Sequence, residues 1–151
     1  MRLLATFVLC LLTLAPAIGQ TQDYQAGQIW AYKTAPGDEG SLIKIQEVEW
    51  IGPDGSSEVF HISMTGVQVP WQDVPLVIQH LPVSRETLDT SVTQLIENAE
   101  SLDAQFPDHS QGKAMWEEAN GGVFTITLAE VADFLRNQFR PPTETNKGKA
   151  N

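Results

Sequence analysis

The stretch from Leu42 to Val69, LIKIQEVEWIGPDGSSEVFHISMTGVQV, constrains the fold more than any other part of the chain. Two runs rich in β-forming residues flank GPDG at Gly52–Gly55. Proline second, aspartate third and glycine fourth suit a type I turn closed by a left-handed glycine bulge, one of the favoured hairpin connections. With Gly52 opposite Ser56, Val48 faces Phe60, Gln46 faces Ile62 and Lys44 faces Met64. On the other face Ile45 meets Ser63, Glu49 meets Val59 and Glu47 meets His61. The apolar phase slips in both arms: Ile43 and Ile45 give way to Val48 and Trp50, while Phe60, Ile62 and Met64 give way to Val67 and Val69, with Gly66 at the break. A strand cannot keep one face in a core through such a slip without a bulge or sharp coiling. The hairpin therefore predicts a strongly bent antiparallel sheet, up to a half-barrel.

His61 is the chemically interesting residue of that hairpin. Opposite Glu47 it forms a common cross-strand pair worth a few tenths to about 1 kcal/mol, which needs no substrate to explain it. Such a pair would hold the imidazole above its ordinary value near ~6.5.

The remaining elements follow from pattern. Gln28–Lys33 reads as a first strand, followed by the turn residues TAPGDEGS. Val74–His80 reads as an edge strand, because Pro75 would disrupt a central one. Ser84 caps a helix whose Leu88, Val92, Leu95 and Ile96 form one apolar stripe. A short helix is expected from about Gln111 to Ala119, stopped by Gly121 and Gly122. Val123–Ile126 reads as a strand. Thr127 and Glu130 make a capping box for a last helix that lays Leu128, Val131, Ala132, Leu135 and Phe139 on one face. Strands first and mostly helices afterwards predict an α+β fold with an antiparallel sheet packed by two or three helices.

Around this core the ends differ in character. MRLLATFVLCLLTLAPAIGQ has one arginine, an apolar run and then small residues, the layout of a secretory signal peptide over residues 1–19 with cleavage before Gln20. The apolar run is short for a membrane span, so no stable membrane anchor is expected after cleavage. Tyr24 to Phe139, about 116 residues, suits one domain, assigned to residues 20–139. RPPTETNKGKAN, 140–151, is polar and aperiodic and reads as a disordered tail. Cys10, the only cysteine, falls inside the leader, so the mature chain has no disulfide, thiolate ligand or cysteine nucleophile. An exported chain of this kind suits a bacterial periplasm or extracellular space. Loss of Arg2 with the leader moves the net charge from −10 to −11, which argues against nucleic acid and anionic membranes as partners. A small molecule or a protein, including a basic one, remains compatible.

Strong chemical motifs do not occur: there is no GxGxxG, P-loop, HExxH, GxSxG, EF-hand loop or CxxC. Two of His61, His80 and His109 with Glu47 or Asp108 would suit zinc by ligand type, yet their spacings match no short metal motif, and neither a metal nor another cofactor is assigned. Ser63 or Ser84 with His61 or His80 would make a hydrolase pair, without a nucleophile elbow around either serine. Glu117 and Glu118 are neighbours on a helix and point apart, as a solvated face does. Of the four tryptophans, Trp30, Trp50 and Trp116 lie in regular elements and are expected in the core. Trp71, held in a loop between Pro70 and Pro75, is the expected contact residue, with His61, His80 and Glu47 as further candidates.

Four segments carry a resemblance: GQIWAYKTAPGDEGS, VFHISMTG, HLPVSRETLDTSV and GGVFTITLAEVADFL. Over most of its length after Gln20 the chain resembles a group of small bacterial proteins of unknown function. The resemblance implies a compact domain of bacterial origin and brings no activity, catalytic residue or binding residue. The leading expectation is an exported, non-enzymatic binding domain. The alternatives are a small hydrolase or metal-dependent enzyme that requires His61 and His80 to converge, and an acidic inhibitor or immunity-like protein for a basic partner.

Overall fold

The structure, a computed structural model, describes residues 22–141. The leader at 1–19 and the tail from 142 onward lie outside the described residues. Among the described residues nine elements follow one another: β1 (Ile29–Tyr32), β2 (Leu42–Ile51), β3 (Ser57–Val67), β4 (Leu76–Ser84), α1 (Arg85–Ser91), β5 (Val92–Leu95), α2 (Glu100–Asp103), α3 (Ser110–Glu118) and α4 (Leu128–Gln138). The strands form one antiparallel sheet in the order β4-β3-β2-β1-β5. The fold is α+β, and the sheet is open rather than closed into a barrel. No described helix is long and apolar enough to cross a membrane.

The hairpin register holds next to the turn: Ile51 faces Ser57, Glu49 faces Val59, Val48 faces Phe60 and Glu47 faces His61. Gly55 is left-handed at φ +62° and its N–H returns to the Gly52 carbonyl. Gln46 is then skipped, so that Ile45 faces Ile62, Lys44 faces Ser63 and Ile43 faces Met64. This one-residue bulge corrects the expected Gln46–Ile62, Lys44–Met64 and Ile45–Ser63 pairs. It also answers the phase slip, since it turns Ile43, Ile45 and Val48 to the same side. A second irregularity lies between Thr65 and Val67, where β3 meets β4 and Gly66 sits at φ +83°. A β-carbon there would come within 3.0 Å of the Ser41 backbone, so glycine serves both the dihedral and the close approach.

Phe60, Ile62, Met64, Ile43, Ile45, Trp30, Tyr32, Leu81 and Val83 bury one face of the sheet against Leu88 of α1 and Leu128, Val131 and Ala132 of α4. Ser84 caps α1 through the Thr87 N–H, and Thr127 with Glu130 closes a reciprocal capping box on α4, both as the sequence implies.

Four expectations need correction. The helix after Ser84 ends at Ser91, and Val92–Leu95 form β5 against the open edge of β1; the value of pairing that edge exceeds the helical stripe of Val92 and Leu95. Val123–Ile126 supplies only a single parallel bridge, Phe124 to Val83. The stop of α3 falls on Asn120, left-handed at φ 48°, with the Gly121 N–H returning to the Trp116 carbonyl. Phe139 does not join the packed face of α4 and is exposed.

Candidate functional site

Strand β3 alternates Phe60, His61, Ile62, Ser63, Met64 and Thr65, the pattern of a strand with one wet face. In the structure Val59–Thr65 is buried throughout: on the polar side α3 lies over His61, and the Gln46 amide, bonded to the Pro107 carbonyl, reaches Ser63. Gly112 makes this approach possible, since a β-carbon on it would stand 2.5 Å from the His80 Cβ. Gly121 does the same for the indole of Trp116, whose Cδ1 would meet a β-carbon at 2.2 Å. Trp116 sets its ring edge-on to His61 with centroids 5.2 Å apart, while its N–H is held by the Gly122 carbonyl at 2.9 Å.

Beneath this cover is a continuous polar network. His61 is fully buried, with Nε2 at 2.9 Å from Glu49 Oε2 and Nδ1 at 2.8 Å from His80 Nε2. His61 and His80 therefore converge, their rings stacked at 5.1 Å. His80 in turn stacks toward His109, centroids 6.5 Å apart. Lys113 on α3 bonds Glu47 Oε1 at 2.6 Å and lies 3.3 Å from Glu49 and 3.6 Å from Glu117. His109 Nε2 is 3.3 Å from Glu47 Oε2.

The carboxylate that bonds His61 is thus Glu49, on the diagonal. Glu47, directly opposite in register, is drawn toward α3 by Lys113, and its pKa is lowered chiefly by that ammonium. The imidazole also moves the other way from the simple pair: burial lowers the His61 pKa, and the Glu49 bond only partly offsets it. His80 falls further, to about 4, through burial followed by repulsion from His61, His109 and Lys113.

The hydrogen bonds fix the tautomers. A carboxylate accepts only, so neutral His61 carries its proton on Nε2 and presents a lone pair at Nδ1. His80 must then donate from Nε2, which leaves its own Nδ1 as a bare lone pair. The network reads Glu49, His61, His80 in one direction and ends on an unprotonated nitrogen.

The serines take no part. Ser63 Oγ donates to the Gln79 carbonyl at 2.6 Å and accepts from Gln46, and Ser84 serves as the α1 cap. Among the described residues no group of three or more His, Cys, Asp or Glu side chains is placed to hold a metal ion. His109, expected on an exposed loop, is the residue preceding α3 and is largely covered.

Two of the three tryptophans expected in the core lie outside it, Trp50 and the half-buried Trp116, and Trp30 alone joins it. Trp71 is half-buried, with Arg140 6.0 Å above its ring and its indole N–H facing inward. Trp50, expected in the core, is 60% exposed. It stands at the turn end of β2, where the apolar face of the sheet runs past the helices that cover it. Glu49, Lys113, Gly112 and Gly121 were not legible as site residues. The one available signal was Gly112 inside a helical pattern, which marks a close approach. No family model, curated protein or solved structure matches the chain.

Proposed function

We propose that this protein is an exported, non-enzymatic binding domain of bacterial origin that acts in the periplasm or outside the cell. The observation that supports this most is the state of His61, a fully buried ring with both nitrogens committed to protein partners. A general base or nucleophile needs a reacting atom within hydrogen-bond reach of substrate, and this imidazole presents none. The network is better suited to holding α3 on the sheet. The sheet in this reading is strongly bent at the Gln46 and Gly66 irregularities. The ligand meets the exposed Trp50 end of the apolar face in place of the Trp71 loop.

A second reading keeps one specific observation in its favour. The bare Nδ1 of His80, backed by His61 and Glu49, has the orientation that an imidazole takes as a metal ligand or general base. An NMR titration of the three imidazoles in the mature protein, with and without zinc, separates the two. The binding-domain reading expects His61 and His80 to titrate below ordinary histidine and stoichiometric zinc to leave them in place. Coupled zinc shifts of His80 and His109, or turnover of an ester or peptide substrate that His80→Gln abolishes, would overturn it.

A further inference from the structure

Trp50 and Glu58 are direct cross-strand partners, and Arg85 at the start of α1 reaches the same row. Together with Gln22 and Asp23 they line an open hollow of about 440 Å³, within the size range of small-molecule sites. Arg85 grips Glu58 with two parallel bonds, Nε to Oε2 at 2.7 Å and Nη2 to Oε1 at 3.1 Å. The guanidinium is held in place by the rings of Tyr24 and Phe60, at 5.3 and 5.4 Å, and by an Nη1 bond to the Gln22 carbonyl. Three of its five N–H groups are thereby used and two are free of these bonds. Asp23 uses Oδ2 on Gln25, which leaves Oδ1 as an acceptor.

The hollow therefore combines an exposed indole plate with planar, pre-oriented donors and acceptors. Arg85 and Glu58 neutralise each other, and the remaining charge of the lining is the solvent-exposed Asp23, which water screens. Fixed donors beside fixed acceptors suit hydroxyl groups, which both give and accept hydrogen bonds. An aromatic plate suits the C–H face of a sugar ring. We propose that this hollow is a saccharide subsite in which a neutral pyranose stacks on Trp50 and its hydroxyls bond Arg85, Glu58 and Asp23. The proposal rests on the binding-domain reading and names the ligand class of its Trp50 surface.

The test follows the Trp50 indole N–H of ¹⁵N-labelled mature protein, together with the Glu58 backbone amide and the Arg85 Nε–H that the Trp50→Ala variant retains, during titration with neutral methyl pyranosides (gluco, galacto, manno and N-acetylglucosamine). Parallel arms use their β-1,4-linked oligomers, to separate a free sugar from a segment of polysaccharide, and tetramethylammonium as a competing cationic probe. The expected result is a saturable shift with at least one sugar, weakened about tenfold or more in Trp50→Ala and reduced in Glu58→Gln. Trp50 is exposed, so its variant keeps the fold and a native far-UV spectrum. The proposal is overturned if no sugar in either arm moves the indole, if tetramethylammonium alone does so, or if Trp50→Ala binds as well as wild type. Each of these outcomes leaves the zinc and turnover results untouched, so the two readings fail separately.

Discussion

Acid should loosen α3 from the sheet, and the histidine network sets both the sign and the window. The His80 pKa is lowered from its ordinary 6.5 to about 4. The folded protein therefore binds fewer protons at His80 than the unfolded chain does between those values. Its contribution to stability is complete above pH 6.5 and is lost as pH falls toward 4, with His61 shifted in the same direction. At ~1.4 kcal/mol for each pH unit, the fall from 6.5 to about 4 bounds the effect near 3 kcal/mol. Because part of the ring meets solvent, screening reduces this to roughly 1–2 kcal/mol. Protonating His61 adds a structural effect, since its Nδ1 would then confront the Nε2–H of His80 donor against donor.

Urea unfolding measured at several pH values between 7.5 and 4.5, by far-UV signal and tryptophan fluorescence, reads this directly. His80→Gln is the informative variant, because its amide can still donate to His61 Nδ1 but does not titrate. It should be less stable than wild type at pH 7.5, and its stability should vary less between pH 6.5 and 4.5. If the two proteins lose stability with the same slope through that window, the assignment of the acid response to His80 is wrong.

Three further outcomes follow from the packing. Gly112→Ala places a methyl 2.5 Å from the His80 Cβ and should cost about 1–3 kcal/mol in urea unfolding while bringing the lowered His61 and His80 pKa values back up by NMR. Thr127→Ala removes one half of the α4 capping box and should cost about 1 kcal/mol, with no change in the imidazole titrations. Trp50→Ala should change the unfolding free energy by no more than about 0.5 kcal/mol, because its ring contributes little to the core; a loss of several kcal/mol would place that ring inside.

The local rules carried the hairpin well, and their limits are instructive. GPDG set the register for Val48, Glu49 and Glu47, because a turn acts on its immediate neighbours. The apolar phase slip announced that bulges were needed, but only three-dimensional packing decided that Gln46 would be the residue skipped, with its amide reaching Ser63 and the Pro107 carbonyl. Helix periodicity over Leu88–Ile96 was equally clear and yet wrong in its second half, since sequence pattern does not show that β1 has an unpaired edge within reach. The histidine site was legible as a list of residues and not as a network. Alternation in β3 says that His61 and Ser63 share a side; it cannot say whether that side meets water or a helix.

That ambiguity has a physical origin that also explains why the site is polar. A strand buried on both faces is ordinarily a continuous apolar run. Here the second face is closed by a nine-residue helix that has no fully buried side chain, so α3 brings little apolar surface of its own. Its attachment depends on Gly112 at the contact with His80, Trp116 over His61, and the Lys113 bridges to Glu47 and Glu49. Bonds of this kind depend on protonation in a way that apolar burial does not. The helix is consequently the element of this fold whose attachment should vary with pH, while the Leu88–Leu128–Val131 side of the sheet stays packed throughout.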